Sequence, residues 1–166
     1  FLAARGGLQT TEESGVSLYE RPFMGHINLR GNPSDRAFLR AVEAALGTSV
    51  PLEPNTLIQR QEVTALCLGP NEWLILTSPD QRQQTAGDLA SSVSYFPAAV
   101  TDVSSSQTVI NLQGPRVREV LNKSCTLDLH PRAFVPGRCA QTNLAKTTVI
   151  VWQLDDPLSF EVIVRR

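Results

Sequence analysis

The sequence predicts an α+β fold of two pseudo-repeated halves, each a strand–helix–hairpin–helix unit whose antiparallel sheet is covered by helices. Three observations carry this prediction. Ile27-Asn28-Leu29-Arg30-Gly31 returns as Ile110-Asn111-Leu112-Gln113-Gly114, an offset of 83 residues in a chain of 166. A helix signal follows each copy, and each half then holds two β-rich runs joined by turn residues. Sheets and helices must each bury one apolar face, so layered packing is the expected arrangement.

Residues 1–20 are rich in Gly, Thr, Glu and Ser and read as a loosely ordered N-terminal arm. Residues 21–166 then form one domain of two repeats, about 21–97 and 98–166. In the first repeat, Ile27–Gly31 alternates like a short strand and stops at a turn glycine. Asn32 and Pro33 open a helix in which Phe38, Ala41, Val42, Ala45 and Leu46 share one face, and Gly47 ends it. After the linker Pro51–Pro54 come strands Thr64–Leu68 and Glu72–Thr77 around Gly69-Pro70-Asn71. A weaker helix runs from roughly Pro79 to Val93, with Ala86, Leu89 and Val93 on one side.

The second repeat opens with a β-prone segment at Val100–Val103, followed by Ile110–Gly114. Pro115 begins a short helix striped by Val117, Val120 and Leu121. The linker Leu127–Pro131 leads to strands Thr148–Leu154 and Ser159–Val164, where Phe160 takes the place Trp73 holds in the first half. A helix matching Pro79–Val93 is missing and is expected beyond Arg166; residues are also expected before Phe1, which is not Met. The predicted core is Leu29, Phe38, Val42, Leu66, Trp73, Leu112, Leu121, Val149 and Phe160.

Composition narrows the function. Lys plus Arg is 15 against 16 for Asp plus Glu, a net charge of -1. That balance argues against a nucleic-acid or anionic-membrane binder, which needs a basic excess. No leader pattern stands at the start, and no apolar run has the roughly 18 residues a membrane span requires. Thirteen of the 15 basic residues are Arg, which reads either as codon bias of a GC-rich genome or as the cation favoured at interfaces. Three cysteines, Cys67, Cys125 and Cys139, form an odd set at irregular spacing, which reads as free thiols in a reducing cytoplasm.

The residues offer few groups for chemistry. Cys125, His130 and Cys139 make three ligands where a zinc site takes about four, and their spacing fits no finger. They read as small buried thiols and a turn histidine, and His26 as a loop or strand-end residue. Ser104, Ser105 and Ser106 follow Asp102 without a nucleophile elbow. Neither G-x-G-x-x-G nor a Walker pattern occurs, so no FAD or NAD site of the Rossmann kind is expected. Asp102 is the one candidate for an acid–base role, with a strand-end turn cap as the alternative. The densest polar cluster is Asp128, His130 and Arg132 followed by Arg138 and Gln141. It reads as a hydrogen-bonded loop, then as a partner-facing surface, where arginines meet carboxylates or carbonyls, and third as a small-molecule site.

Seven stretches in order carry a resemblance: Arg21-Pro22 with His26–Gly31, Pro54–Thr56, Leu68–Ile75, Thr101–Ser104, Leu112–Pro115 with Val120-Leu121, Leu127–Pro131 and Pro136–Ala145. Together they resemble the γ subunit of heterotetrameric sarcosine oxidase. The resemblance implies a folate-binding, aminomethyltransferase-like domain fold, itself an internal duplication. It implies a non-catalytic chain partnered by α, β and δ subunits in a complex that oxidises sarcosine to glycine, giving hydrogen peroxide and 5,10-methylenetetrahydrofolate. FAD and FMN are then expected on the β subunit, NAD and tetrahydrofolate on the α subunit and zinc on the δ subunit, with no cofactor in this chain. The same kinship raises a rival, a folate-binding or aminomethyltransferase-like protein, for which Asp102, assisted by Asn28 and Arg30, is the candidate set. Asp128, His130, Arg132, Arg138 and Gln141 are the interface candidates.

Overall fold

A computed structural model describes residues 15–165. In chain order the elements are β1 (Ser17–Arg21), β2 (Gly25–Arg30), α1 (Arg36–Leu46), β3 (Leu57–Arg60), β4 (Val63–Gly69), β5 (Glu72–Thr77), α2 (Arg82–Ser92), β6 (Ala99–Asp102), β7 (Gln107–Gln113), α3 (Val117–Asn122), β8 (Cys139–Leu144), β9 (Thr147–Gln153) and β10 (Ser159–Arg165), with a 3₁₀ turn at Ser104–Ser106 between β6 and β7. They form two five-stranded sheets, ordered β3-β4-β5-β2-β6 and β8-β9-β10-β7-β1. Every pairing in both sheets is antiparallel.

The two strand orders correspond position for position. The repeated strands β2 and β7 each lie beside the second strand of their hairpin, β5 and β10. The fifth strands are exchanged. β1 precedes β2 in the chain but pairs with β7, and β6 precedes β7 but pairs with β2. The chain therefore divides into a unit of residues 23–106 and a unit of residues 107–165 joined by 15–22.

This exchange moves the boundary between halves from the expected 97/98, because β6 satisfies its backbone hydrogen bonds on β2 (Leu29↔Val100, Ile27↔Asp102). It also ends the expected arm early: Ser17–Arg21 is a strand in register with Val109–Gln113. Residues 1–14 of the arm, and Arg166, lie outside the described residues.

In the 23–106 unit, α1 packs its Phe38, Val42 and Leu46 stripe onto Ile27, Leu29, Trp73 and Ile75. Asp35 caps the helix: its Oδ1 accepts from the N–H of Ala37 at 2.8 Å and of Phe38 at 3.2 Å. Asn32 instead accepts from the Ser34 N–H at 3.0 Å, so the helix starts later than Asn32-Pro33 suggests. Gly47 closes it at φ 68, donating its N–H to the Glu43 carbonyl at 2.9 Å. Phe38 sits 6.2 Å from Trp73 and 5.9 Å edge-on from Phe96, ring centroid to centroid.

The second unit repeats the scheme with a shorter helix. Val117 and Leu121 of α3 pack with Leu112, Val149, Val151, Phe160 and Val162. The long connection from α3 to β8 contributes buried Leu129 and Phe134, the latter stacked 6.4 Å from Phe160. All nine predicted core residues are buried.

Candidate functional site

Three places in the described residues gather polar groups, and each lies within one unit. The first surrounds Asp102, the last residue of β6. Its Oδ2 accepts from Arg82 Nε at 2.8 Å, and its Oδ1 accepts from the Ser104 backbone N–H at 2.9 Å and the Ser104 hydroxyl at 2.5 Å. Burial pushes this carboxyl up, but the Arg82 hydrogen bond, the two Ser104 donors and the Arg82 charge together hold it below its ordinary value. Ser104 Oγ in turn accepts from the His26 backbone N–H at 2.8 Å, while His26 Nδ1 lies 3.0 Å from the Met24 carbonyl. The hydroxyl thus faces a carboxylate and backbone amides. The geometry is that of a capped strand end, tying β6 to α2 and to the start of β2.

Glu72 on β5 organises the second place. It accepts from Asn28 Nδ2 at 2.8 Å and from Arg30 Nη2 at 2.7 Å, both on β2. Arg30 directly opposes Glu72 in the sheet, and Asn28 stands two residues along on the same face. Asp102 opposes Ile27, whose side chain belongs to the core under α1. The fold therefore separates the three folate candidates: Asn28 and Arg30 share one sheet face, and Asp102 takes the other. Beside Arg30 lies a shallow open groove of about 620 Å³, bordered by Gly31, Asn71, Phe96, Pro97 and Ala99.

The third place is the connection 123–138 with the edge strand β8. Asp128, His130, Arg132, Arg138 and Gln141 are all exposed on it. The loop is a chain of local bonds. Asp128 Oδ1 accepts from the His130 N–H at 2.9 Å, His130 Nδ1 accepts from the Arg132 N–H at 3.2 Å, and the His130 carbonyl accepts from the N–H groups of Ala133 and Phe134 at 2.8 and 2.9 Å. The stretch read from the sequence as a single polar loop is half strand: Cys139–Leu144 pairs along its length with β9.

Sequence reasoning missed the residue that anchors this loop. Arg118 on α3 donates to the Leu129 carbonyl through Nη1 and to Gln153 Oε1 at 2.7 Å through Nη2, with its guanidinium 4.9 Å over the Phe160 ring. Nothing local distinguishes Arg118 from Arg116 in the sequence. Arg116 instead pairs with Glu119 at 2.9 Å on the surface. Glu161, buried on β10 and held at 2.5 Å by Arg21, was likewise invisible, because its partner arrives from β1, 140 residues away.

The thiols take structural places. Cys67 is fully buried, and burial pushes its pKa up; its Sγ donates to the Gly69 carbonyl at 3.2 Å. Cys125 lies 3.8 Å from the Thr142 hydroxyl, and Cys139 is buried in β8. All three are free, and among the described residues no group of three or more His, Cys, Asp or Glu is placed to hold a metal ion. No described helix is long and apolar enough to cross a membrane.

The duplicated sheet-and-helix architecture defines the fold class: an α+β domain of two antiparallel sheets, each covered by helix. The chain is similar in fold to the glycine cleavage system aminomethyltransferase T from Bartonella henselae, with a TM-score of 0.63 over 90% of this chain and 42% of that one at 16% identity. A family model described as "Sarcosine oxidase, gamma subunit family" matches residues 30–166, and the chain belongs to that family. It is 36% identical over 146 residues to the sarcosine oxidase subunit gamma of an Arthrobacter species, covering 87% of this chain and 70% of that protein. It also matches a chain of the heterotetrameric sarcosine oxidase from Corynebacterium sp. U-96 with a TM-score of 0.87, over 99% of this chain and 83% of that one at 30% identity.

Proposed function

We propose that the chain is the non-catalytic γ subunit of a heterotetrameric sarcosine oxidase, assembled with α, β and δ subunits in the cytoplasm. The observation that carries this reading is the likeness over 99% of the chain to a protein solved as part of that heterotetramer. In this reading the complex demethylates sarcosine to glycine, with FAD, FMN, NAD, tetrahydrofolate and zinc held by the other subunits. Three free thiols fit a reducing compartment. The exposed Asp128, His130, Arg132, Arg138 and Gln141 supply a polar docking surface on one unit.

The rival is folate binding, which the aminomethyltransferase fold favours. It needs a carboxylate turned toward a deep pocket. Asp102 has both oxygens engaged by Arg82 and Ser104, and its two proposed helpers bond Glu72 on the opposite face. Two measurements separate the readings. Coexpressed with the flavoprotein subunits, the chain is expected to copurify with them and to show no oxidase activity by itself. Calorimetric titration of the purified chain with tetrahydrofolate is expected to give no micromolar binding. Micromolar binding abolished by Asp102→Ala would establish the rival.

A further inference from the structure

We infer that the double turn from His130 to Arg138 is a preformed basic and apolar finger that seats on an acidic face of a partner subunit. This rests on the proposed role as an assembling subunit and deepens it by naming the chemistry of the opposing face. The finger is built wholly from residues of the 107–165 unit. Its first turn has Pro131 at the first central position, and the His130 carbonyl accepts from the N–H groups of Ala133 at 2.8 Å and Phe134 at 2.9 Å. The second turn runs Val135-Pro136-Gly137-Arg138. There the Arg138 N–H donates to the Val135 carbonyl at 3.2 Å, and Gly137 stands at φ 83. Pro followed by a left-handed Gly is the type II pattern, which brings the first and fourth residues within about 7 Å, so Val135 and Arg138 are neighbours.

Buried side chains fix both turns. Leu129 is fully buried before them, and Arg118 holds its carbonyl. Phe134, between the turns, is buried and stacks 6.4 Å from Phe160, and Cys139 after them is in register with Trp152 as β8 begins. Around these anchors Pro131, Arg132 and Ala133, and then Val135 through Arg138, are exposed. A finger tied in this way loses little freedom when it docks. Its charge has one sign. Between Leu129 and Cys139 stand Arg132 and Arg138 and no Lys, Asp or Glu, in a chain whose net charge is -1. Asp128, just before, uses one carboxylate oxygen on the His130 N–H at 2.9 Å. Val135 adds an apolar side chain that is 41% exposed. Arg and apolar groups without Lys or acids make up an interface centre rather than ordinary surface. Two guanidinium groups held close together are matched by carboxylates, which accept their forked hydrogen bonds. Nucleic acid draws on several more phosphate contacts than two cations supply.

The test uses the full chain coexpressed with its partner subunits, with capture read at about 50 and about 500 mM NaCl. Wild-type capture is expected to weaken about ten-fold across that range. The paired change Arg132→Gln with Arg138→Gln is expected to weaken capture about five-fold at low salt and to remove most of the salt dependence. Position 135 reads the sign of the opposing face. Val135→Glu is expected to weaken capture about ten-fold, and Val135→Lys, whose stem keeps the apolar contact, to hold it within about two-fold. Because these side chains are exposed, Tm is expected to stay within about 2 °C in every variant. Capture of the paired Gln variant equal to wild type at both salt concentrations overturns the inference and leaves the subunit assignment intact. Val135→Lys weakening capture as much as Val135→Glu also overturns it, since the opposing face is then not acidic. Wild-type chain that captures no partner subunit overturns both the inference and the assignment.

Discussion

Trp73 joins the two functions of a core aromatic. It is fully buried between Phe38 and the sheet, and its indole N–H donates to the Pro51 carbonyl at 2.7 Å, tying the linker after α1 to β5. Trp73→Ala is expected to cost about 3–5 kcal/mol in urea titration. The two repeat glycines are needed for different reasons. A Cβ on Gly31 would lie 2.2 Å from the Phe38 ring, and one on Gly114, at φ 134, would lie 2.4 Å from the Gly15 carbonyl oxygen. Gly114→Ala is therefore expected to destabilise by at least about 2 kcal/mol, since backbone strain and a backbone clash add. Asp102 makes stability depend on pH. Its folded-state pKa is lowered, so its contribution is complete above the unfolded value of about 4 and fades as pH falls through the lowered value. The stability gap between wild type and Asp102→Asn should narrow from pH 6 to pH 3 in denaturant titrations. A gap constant over that range would show that the Arg82 pair contributes nothing.

At the scale of elements, legibility followed how strongly each segment is amphipathic. α1 and the hairpins β4–β5 and β9–β10 carry full apolar faces, and their predicted positions agree with the structure to within a residue or so at most ends. The α1 start was misplaced because Asn32, Ser34 and Asp35 are all suitable caps, and only the fold selects Asp35. Asp35→Ala is expected to cost about 1 kcal/mol in thermal or urea unfolding, with the helix-interior contacts unchanged. β1, β3 and β8 went unread. Each is an edge strand with one neighbour, and polar residues at inward positions weaken the period-two signal, as Thr142 does in β8 between exposed Gln141 and Asn143. The candidate site divides along the same line. The turn-capping alternative for Asp102 was readable from its place at a strand end, but its partner Arg82 and the Asn28–Glu72–Arg30 group required knowing which strands are neighbours.

For the whole molecule, the internal duplication shows as two five-stranded sheets with matching strand orders. Two copies of one sheet order seat polar groups in pairs and caps, and the exposed charges Lys123, Asp128, Arg132 and Arg138 lie on the loop 123–138 beside the uncharged edge strand β8. The paired reversal Arg132→Glu with Arg138→Glu is expected to leave Tm within about 2 °C, since both side chains are exposed, and to weaken capture by partner subunits at least about ten-fold. Pull-down with wild-type and reversed chains reads the difference directly. The amino-acid sequence by itself determined the repeat, the α+β class, the core residues and the family, because apolar periodicity, turn residues and ordered motifs are local and survive without coordinates. The exchange of β1 and β6 between sheets, the opposite faces taken by Asp102 and Asn28 and the anchoring of a loop by Arg118 were decided only by tertiary structure. Each depends on hydrogen-bond partners brought together from distant parts of the chain, and residue order alone does not encode which strand edge a segment will find.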